Sequence, residues 1–210
     1  NRGFYTVMAA QFFSSLADNA LLVAAIALLI DLHGPAWMTP LLKFFFTVSY
    51  VVLAAFVGAF ADSMPKGKVM FVTNTIKIAG CALMFFYDYF ALLGISSHLV
   101  VLASYAVVGL GAAAYSPAKY GILTEMLPPR QLVIANGWIE GLTVASIIIG
   151  TMLGGALINT KVSALLLSID LPHVETGIDT PPEAAILVIS LFYLIAAAFN
   201  LNIPDTGARY

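Results

Sequence analysis

Six apolar stretches, each long enough to cross a hydrocarbon core, dominate what this chain can fold into. A spanning helix takes about 20 residues at about 1.5 Å per residue. Stretches of that length occupy residues 4–30, 41–61, 69–89, 99–122, 133–158 and 184–203. A membrane barrel would instead require short segments of strict alternation, and the sequence has none. Charged residues make up 10% of the chain, against roughly 25% in a soluble domain, so lipid is its main solvent. The expected fold is an all-α membrane protein with six transmembrane helices. The first stretch exceeds the apolar core of a cleaved leader, about 7–15 residues, and carries Asp18 and Asn19 inside it. It is expected to be a retained helix.

Lys and Arg near helix ends set orientation. Arg2, Lys66, Lys68, Lys119, Arg130 and Arg209 fall on the side shared by the two termini, whereas Lys43 and Lys161 fall on the other. Both termini are therefore expected in the cytoplasm. The longest connection, 159–183, lies outside; its section 162–171 is too short to span but apolar enough to lie at the interface, and an ordinary linker fits it equally. The net charge of −2 and the lack of a basic cluster speak against nucleic acid. The single cysteine, Cys81, excludes an intrachain disulfide and a cysteine metal site. His33, His98 and His173 fall in outer loops or at helix ends and are expected as surface residues, with no metal and no cofactor implied. The start at Asn1 rather than Met, and the end soon after the sixth stretch, suggest one part of a longer protein. Three spans on each side of a central loop also fit a 3+3 inverted repeat.

Ionisable groups at mid-membrane cost roughly 2.5–3.5 kcal/mol each on insertion scales, so each needs a reason to be there. In the first span Gln11, Ser14, Ser15 and Asp18 recur at helical spacing and form one polar stripe. Asp18 lies roughly 20 Å into that helix. It suits a cavity-facing acid that meets a cation, proton or amine, or alternatively a structural hydrogen bond between helices. Asn74 and Lys77 lie one turn apart in the third span, and Asn136, Glu140 and Thr143 follow similar spacing in the fifth. Lys77 and Glu140 are each roughly 12 Å deep from the cytoplasmic side, so they are expected to pair or to share a network, either as a structural lock or as a gate.

The residues from 109 to 140 are the most specific part of the chain. A Gly- and Ala-rich helix leads into Tyr115-Ser116-Pro117-Ala118-Lys119-Tyr120-Gly121, a short loop with Pro128, Pro129 and Arg130 follows, and the next span carries Asn136 and Glu140. Tyr115 and Lys119 share a helix face, and Pro117 removes one backbone hydrogen bond and can kink the helix. Lys119 either faces a cavity or snorkels to the headgroups. Gly109 and Gly111 allow a neighbouring backbone or an acyl chain to approach, and Gly150 with Gly154 forms a small-residue packing face. Spans two and three are joined by a tight turn, in which Gly58 allows close packing, Asp62 accepts hydrogen bonds or pairs a cation, and Lys66 and Lys68 stay in water.

That turn, Gly58-xxx-Asp62-xxx-Lys66-Gly67-Lys68, resembles the loop motif of the major facilitator superfamily, with Ser63 in place of the usual arginine and Pro65 where glycine is common. SSLADNALLVAAIALL, VGAFADSMPKGKVM, GAAAYSPAKYGILTEM and ANGWIE resemble more closely the lysophospholipid transporter family of bacterial inner membranes. The resemblance covers spans one to five, and the sixth by hydropathy alone. It implies a twelve-helix transporter of which this chain is the N-terminal six-helix half, with a midplane cavity between it and a C-terminal half. It further implies movement of lysophosphatidylethanolamine-like lipids from the outer to the inner leaflet for re-acylation, in some relatives by a fused or neighbouring acyltransferase. The family's Asp-Asn falls on Asp18 and Asn19, its Tyr-x-Pro-Ala-Lys-Tyr-Gly on residues 115–121, and its Asn-Gly…Glu on Asn136, Gly137 and Glu140.

The expected substrate-binding set is thus Gln11, Asp18, Asn19, Tyr115, Lys119, Asn136 and Glu140. The expected structural or gating set is Gly58, Asp62, Lys66, Lys68, Asn74, Lys77 and Pro117. A zwitterionic headgroup would find Asp18 for its amine, and Lys119 or a cation of the second half for its phosphate. A carrier for a sugar, drug or other metabolite is the alternative within this fold. A membrane enzyme is disfavoured, because no histidine–acid pair, metal spacing or serine with a nearby base occurs.

Overall fold

A computed structural model of the chain describes residues 2–167 and 181–207. Its helices are, in order, α1 (Arg2–Asp31), α2 (Met38–Asp62), α3 (Lys66–Phe85), α4 (Tyr87–Leu92), α5 (Ser97–Met126), α6 (Pro129–Leu157), α7 (Thr160–Leu167) and α8 (Pro181–Leu201). Six of these, α1, α2, α3, α5, α6 and α8, are long and apolar enough to span a membrane. Arg209 and the loop residues Asp170, His173, Glu175 and Asp179 lie outside the described residues, as does the end of the apolar section 162–171.

Prolines punctuate the turns. Pro65 takes an extended ψ of 133° just before α3. Pro128 and Pro129 start α6, where a missing N–H is harmless. Leu127, ahead of Pro128, is pushed to φ −120°, ψ 143°, as the residue before proline usually is. Pro117 sits inside α5, which continues through it as one helix. The expected third span, 69–89, divides instead: α3 ends at Phe85, Phe86 breaks the helical path, and α4 follows. The break turns Tyr87 inward, where its buried hydroxyl faces Glu183 at 3.4 Å. Burial first, then the charges of Asp88 and Glu183, push that phenol up to about 12.

The packing order carries the repeat. α1 packs on α6 and α8, and α5 packs on α2 and α3; α1 also meets α5, and α3 meets α8. Exchanging α1, α2 and α3 for α5, α6 and α8 returns the same set of neighbours, so the fold is a 3+3 repeat. The closest approaches obey the same exchange. A Cβ on Gly109 of α5 would stand 2.6 Å from the Phe46 carbonyl oxygen of α2, and one on Gly150 of α6 would stand 2.5 Å from that of Leu16 in α1. Lipid tails are as apolar as leucine, so backbone contact of this kind, rather than water exclusion, holds such helices together.

Inside the bundle two apolar clusters are separated by a polar layer. One joins Ala17–Leu29 positions of α1 with Cys81, Met84, Val101, Tyr105 and Tyr193. The other, at the end holding both termini, joins Val7, Ala61, Val69, Met70, Tyr115, Ile122 and Ile203. Between them lie Gln11 and Ser14 of α1, Thr73, Asn74 and Lys77 of α3, and Asn200 of α8, all buried.

Candidate functional site

The polar layer begins with the stripe on α1. Gln11, Ser14, Ser15 and Asp18 point toward α3, α5 and α6, and with Lys77, Ala112, Tyr115, Ser116, Lys119 and Thr143 they line a cavity of about 170 Å³. Lys77 is the centre of its inner wall. Its ammonium donates to Asp18 Oδ2 at 2.9 Å and to Ser14 Oγ at 2.9 Å. Ser14 in turn donates to Asn74 Oδ1 at 2.8 Å, and the Asn74 amide donates to Asn200 Oδ1 at 3.1 Å. The second Asp18 oxygen accepts from the Tyr193 hydroxyl. The rings of Tyr115 and Tyr193 flank the Lys77 ammonium at 5.1 and 5.7 Å, where their π-faces favour a cation. On the other side, the Gln11 amide donates to Thr143 Oγ1 at 2.9 Å and ties α1 to α6. The Tyr115 hydroxyl is buried and points toward Asn74 and Asn200 without closing a hydrogen bond.

Several expected residues therefore meet, though not all in the expected pairs. Lys77 pairs with Asp18, not with Glu140. The reason is packing order: α3 lies against α5 and α8 while α6 lies against α1, so Lys77 and Glu140 face different neighbours. Glu140 is exposed and accepts from the Tyr120 hydroxyl across the α5–α6 seam. Lys119 is only 5% exposed, so it faces the cavity and does not snorkel; its ammonium stands 4.5 Å over the Tyr120 ring. Asn19 bonds back to the Ser15 carbonyl at 2.8 Å and packs beside Gly150 of α6. Neither Asn19, Asn136 nor Glu140 lines the cavity.

At the terminal end, Asp62 pairs with Lys66 at 3.0 Å. Lys66 is not in water as expected: its side chain is buried, donates to the Ala61 carbonyl at 3.1 Å and passes over Gly121 of α5. That carbonyl lies in the last turn of α2, where a cation meets the negative end of the helix dipole. Lys68 is exposed. Gly58 makes no close approach, since a Cβ there would meet nothing within 4 Å. His98 is half-buried and donates from its ring nitrogen to the Leu32 carbonyl at 2.9 Å.

Tyr193 and Asn200 join this network although neither is among the expected site residues. The signal was available: they stand seven residues apart in an otherwise apolar helix and so share one face.

Residues 7–208 match the family model described as Major Facilitator Superfamily. The chain is 41% identical over 208 residues to the lysophospholipid transporter LplT of Yersinia enterocolitica serotype O:8 / biotype 1B, covering 99% of this chain and 44% of that protein. The LplT of Yersinia pestis strain Pestoides F is 40% identical with the same coverage. The chain thus spans about half the length of the curated relatives it matches. Among solved structures, a bacterial homologue of the iron transporter ferroportin, crystallised in an outward-facing state, superposes with a TM-score of 0.70 at 15% identity, over 97% of this chain and 48% of that one.

Proposed function

The chain belongs to the major facilitator superfamily, and on that premise we propose that it is the N-terminal half of a transporter that moves a lysophospholipid from the outer to the inner leaflet of a bacterial inner membrane. The observation that carries this reading is the polar cavity of about 170 Å³ set among six membrane-grade helices. A passive membrane module has no need of Asp18, Lys77 and Lys119 inside the bundle, each expensive at that depth. A lysophospholipid has the matching form: one polar headgroup for such a cavity and one acyl chain that can stay against lipid or apolar helix faces. The relatives named for lysophospholipid transport support the substrate class.

In this reading both termini lie in the cytoplasm and a second six-helix half follows. The spans α2 and α6, whose outer faces are the least covered, meet that half, and the two rock against each other to expose the cavity to one side and then the other. Gln11, Tyr115 and Lys119 contact the substrate from the cavity, Asp18 lines it as the partner of Lys77, and Asn136 and Glu140 act from the rim on the exposed side of α6. Asn19 holds α1 against α6. Asp62, Lys66 and Lys68 shape the cytoplasmic turn. The activity is transport, not catalysis, and an acyltransferase consumes the delivered lipid.

The test is accumulation of labelled lysophosphatidylethanolamine by cells that carry the full-length protein, compared with an empty vector and with Asp18→Ala. Uptake above the vector, lost in the variant, is expected. Equal uptake by wild type and vector would sink the proposal, and saturable uptake of a sugar or drug in its place would establish the alternative.

A further inference from the structure

The charges around the cavity are unequal, and the imbalance points to a particular ligand group. Asp18 is already engaged on both oxygens, by Lys77 and by the Tyr193 hydroxyl. Lys77 spends donors on Asp18 and Ser14 and sits between two tyrosine rings. These two charges cancel inside the protein's own frame. Lys119 is different. It is 95% buried by its 5% exposure, lines the cavity, and among the described residues has neither a carboxylate within 4.0 Å nor a hydrogen-bond acceptor. Its neighbour is the Tyr120 ring. Glu140 acts on it from beyond contact distance, with its carboxylate held by Tyr120 on the exposed side of α6.

An ammonium that opens to the cavity with no protein acceptor, at a depth where charge is expensive, has its donors available to a ligand there. The acceptor that balances both charge and donors is an anion. We infer that Lys119 is the anion anchor of this half, binding the phosphate of a phosphate ester, and that Asp18 serves as the counter-ion of Lys77 and not as the receptor for a headgroup amine. The Ser15 hydroxyl from α1 and the Ser116 hydroxyl from α5 line the same cavity and can share the phosphate oxygens. This inference rests on the lysophospholipid reading for the source of the phosphate, though not for the site. It predicts that this half selects for the phosphate that lysophospholipids share and not for the headgroup beyond it.

The experiment uses the full-length protein in proteoliposomes and measures the concentration of lysophosphatidylethanolamine that half-saturates uptake. Lys119→Gln is expected to raise it about 10- to 100-fold, the range of a lost hydrogen bond to a charged group, and Lys119→Arg to keep most of the affinity. On wild type, monoacylglycerol, with the acyl chain but no phosphate, is expected not to compete; this arm stands even if Lys119→Gln fails to insert. An unchanged half-saturation in inserted Lys119→Gln, or monoacylglycerol that competes as well as the lysolipid, overturns the anchor. If wild type moves no lysolipid but binds glycerol 3-phosphate or inorganic phosphate in a Lys119-dependent way, the lysophospholipid reading fails while the anion site stands.

Discussion

Two aspartate–lysine pairs of nearly equal length sit in two different surroundings within this chain. Asp18 and Lys77 meet at 2.9 Å in the polar layer, with side chains 18% and 2% exposed. Asp62 and Lys66 meet at 3.0 Å at the terminal end, 58% and 6% exposed. The distances say the same thing; the surroundings do not. Around Asp18 and Lys77 stand Ser14, Tyr193 and the two flanking rings, with only the cavity side open. Asp62 is more than half exposed, so solvent screens its charge and repays part of any loss. Equal geometry therefore predicts unequal energetics, and the contrast can be tested from its largest consequence downward.

The largest effect is expected at Lys77. Lys77→Met leaves the half-buried Asp18 inside the bundle without its cation, and breaking a fully buried pair costs about 3–5 kcal/mol, the upper limit for this one. The full-length protein in detergent should lose much of its thermal stability, measured as the midpoint of unfolding. Asp18→Asn combined with Lys77→Met removes both charges and should recover most of that loss. A double variant no better than Lys77→Met alone would break the pairing assigned here. Next comes Tyr193→Phe, which takes one donor from Asp18. Because Asp18 also touches the cavity, water can replace part of the bond, and a loss of about 1–2 kcal/mol is expected; no change in the unfolding midpoint would place the hydroxyl outside the network.

The inner pair also shows where sequence is informative and where it stops. The six spans were visible because a membrane demands long uninterrupted apolar helices. The stripe Gln11, Ser14, Ser15, Asp18 was visible because helical spacing puts those residues on one face whatever surrounds them. Asn74 and Lys77 were visible because a polar group at depth is rare. Their partners were not. Lys77 reaches Asp18 across 59 residues of sequence, and depth alone suggested Glu140 equally well; only the order of helices around α1 and α5 decides between them. Family motifs marked Asn19, Asn136 and Glu140, yet motif and cavity coincide only at Asp18, Tyr115 and Lys119 among the substrate residues so marked. Lys66 was misjudged for a local reason. Its stem finds room over Gly121 and its ammonium finds the Ala61 carbonyl, a tertiary notch that a charge in a turn does not announce.

The outer pair should respond weakly. Lys66→Met removes a half-exposed ion pair and a cation at the end of α2, together about 1 kcal/mol, and its effect on the unfolding midpoint should be a fraction of that at Lys77. A loss as large as that of Lys77→Met would mean that the Ala61 carbonyl, and not Asp62, is the partner that matters.

Salt gives the smallest and sharpest difference. The Debye length falls from about 10 Å at about 0.1 M to about 3 Å at about 1 M. The coupling between Asp62 and Lys66, measured by a double-mutant cycle, should shrink over that range because bulk ions reach Asp62. The coupling between Asp18 and Lys77 should stay constant, since protein groups enclose the pair and leave only the cavity side open. The sign of this contrast matters more than its size. If salt weakened both pairs alike, ions would have to enter the cavity freely, and the inner pair would no longer be a fixed part of the frame.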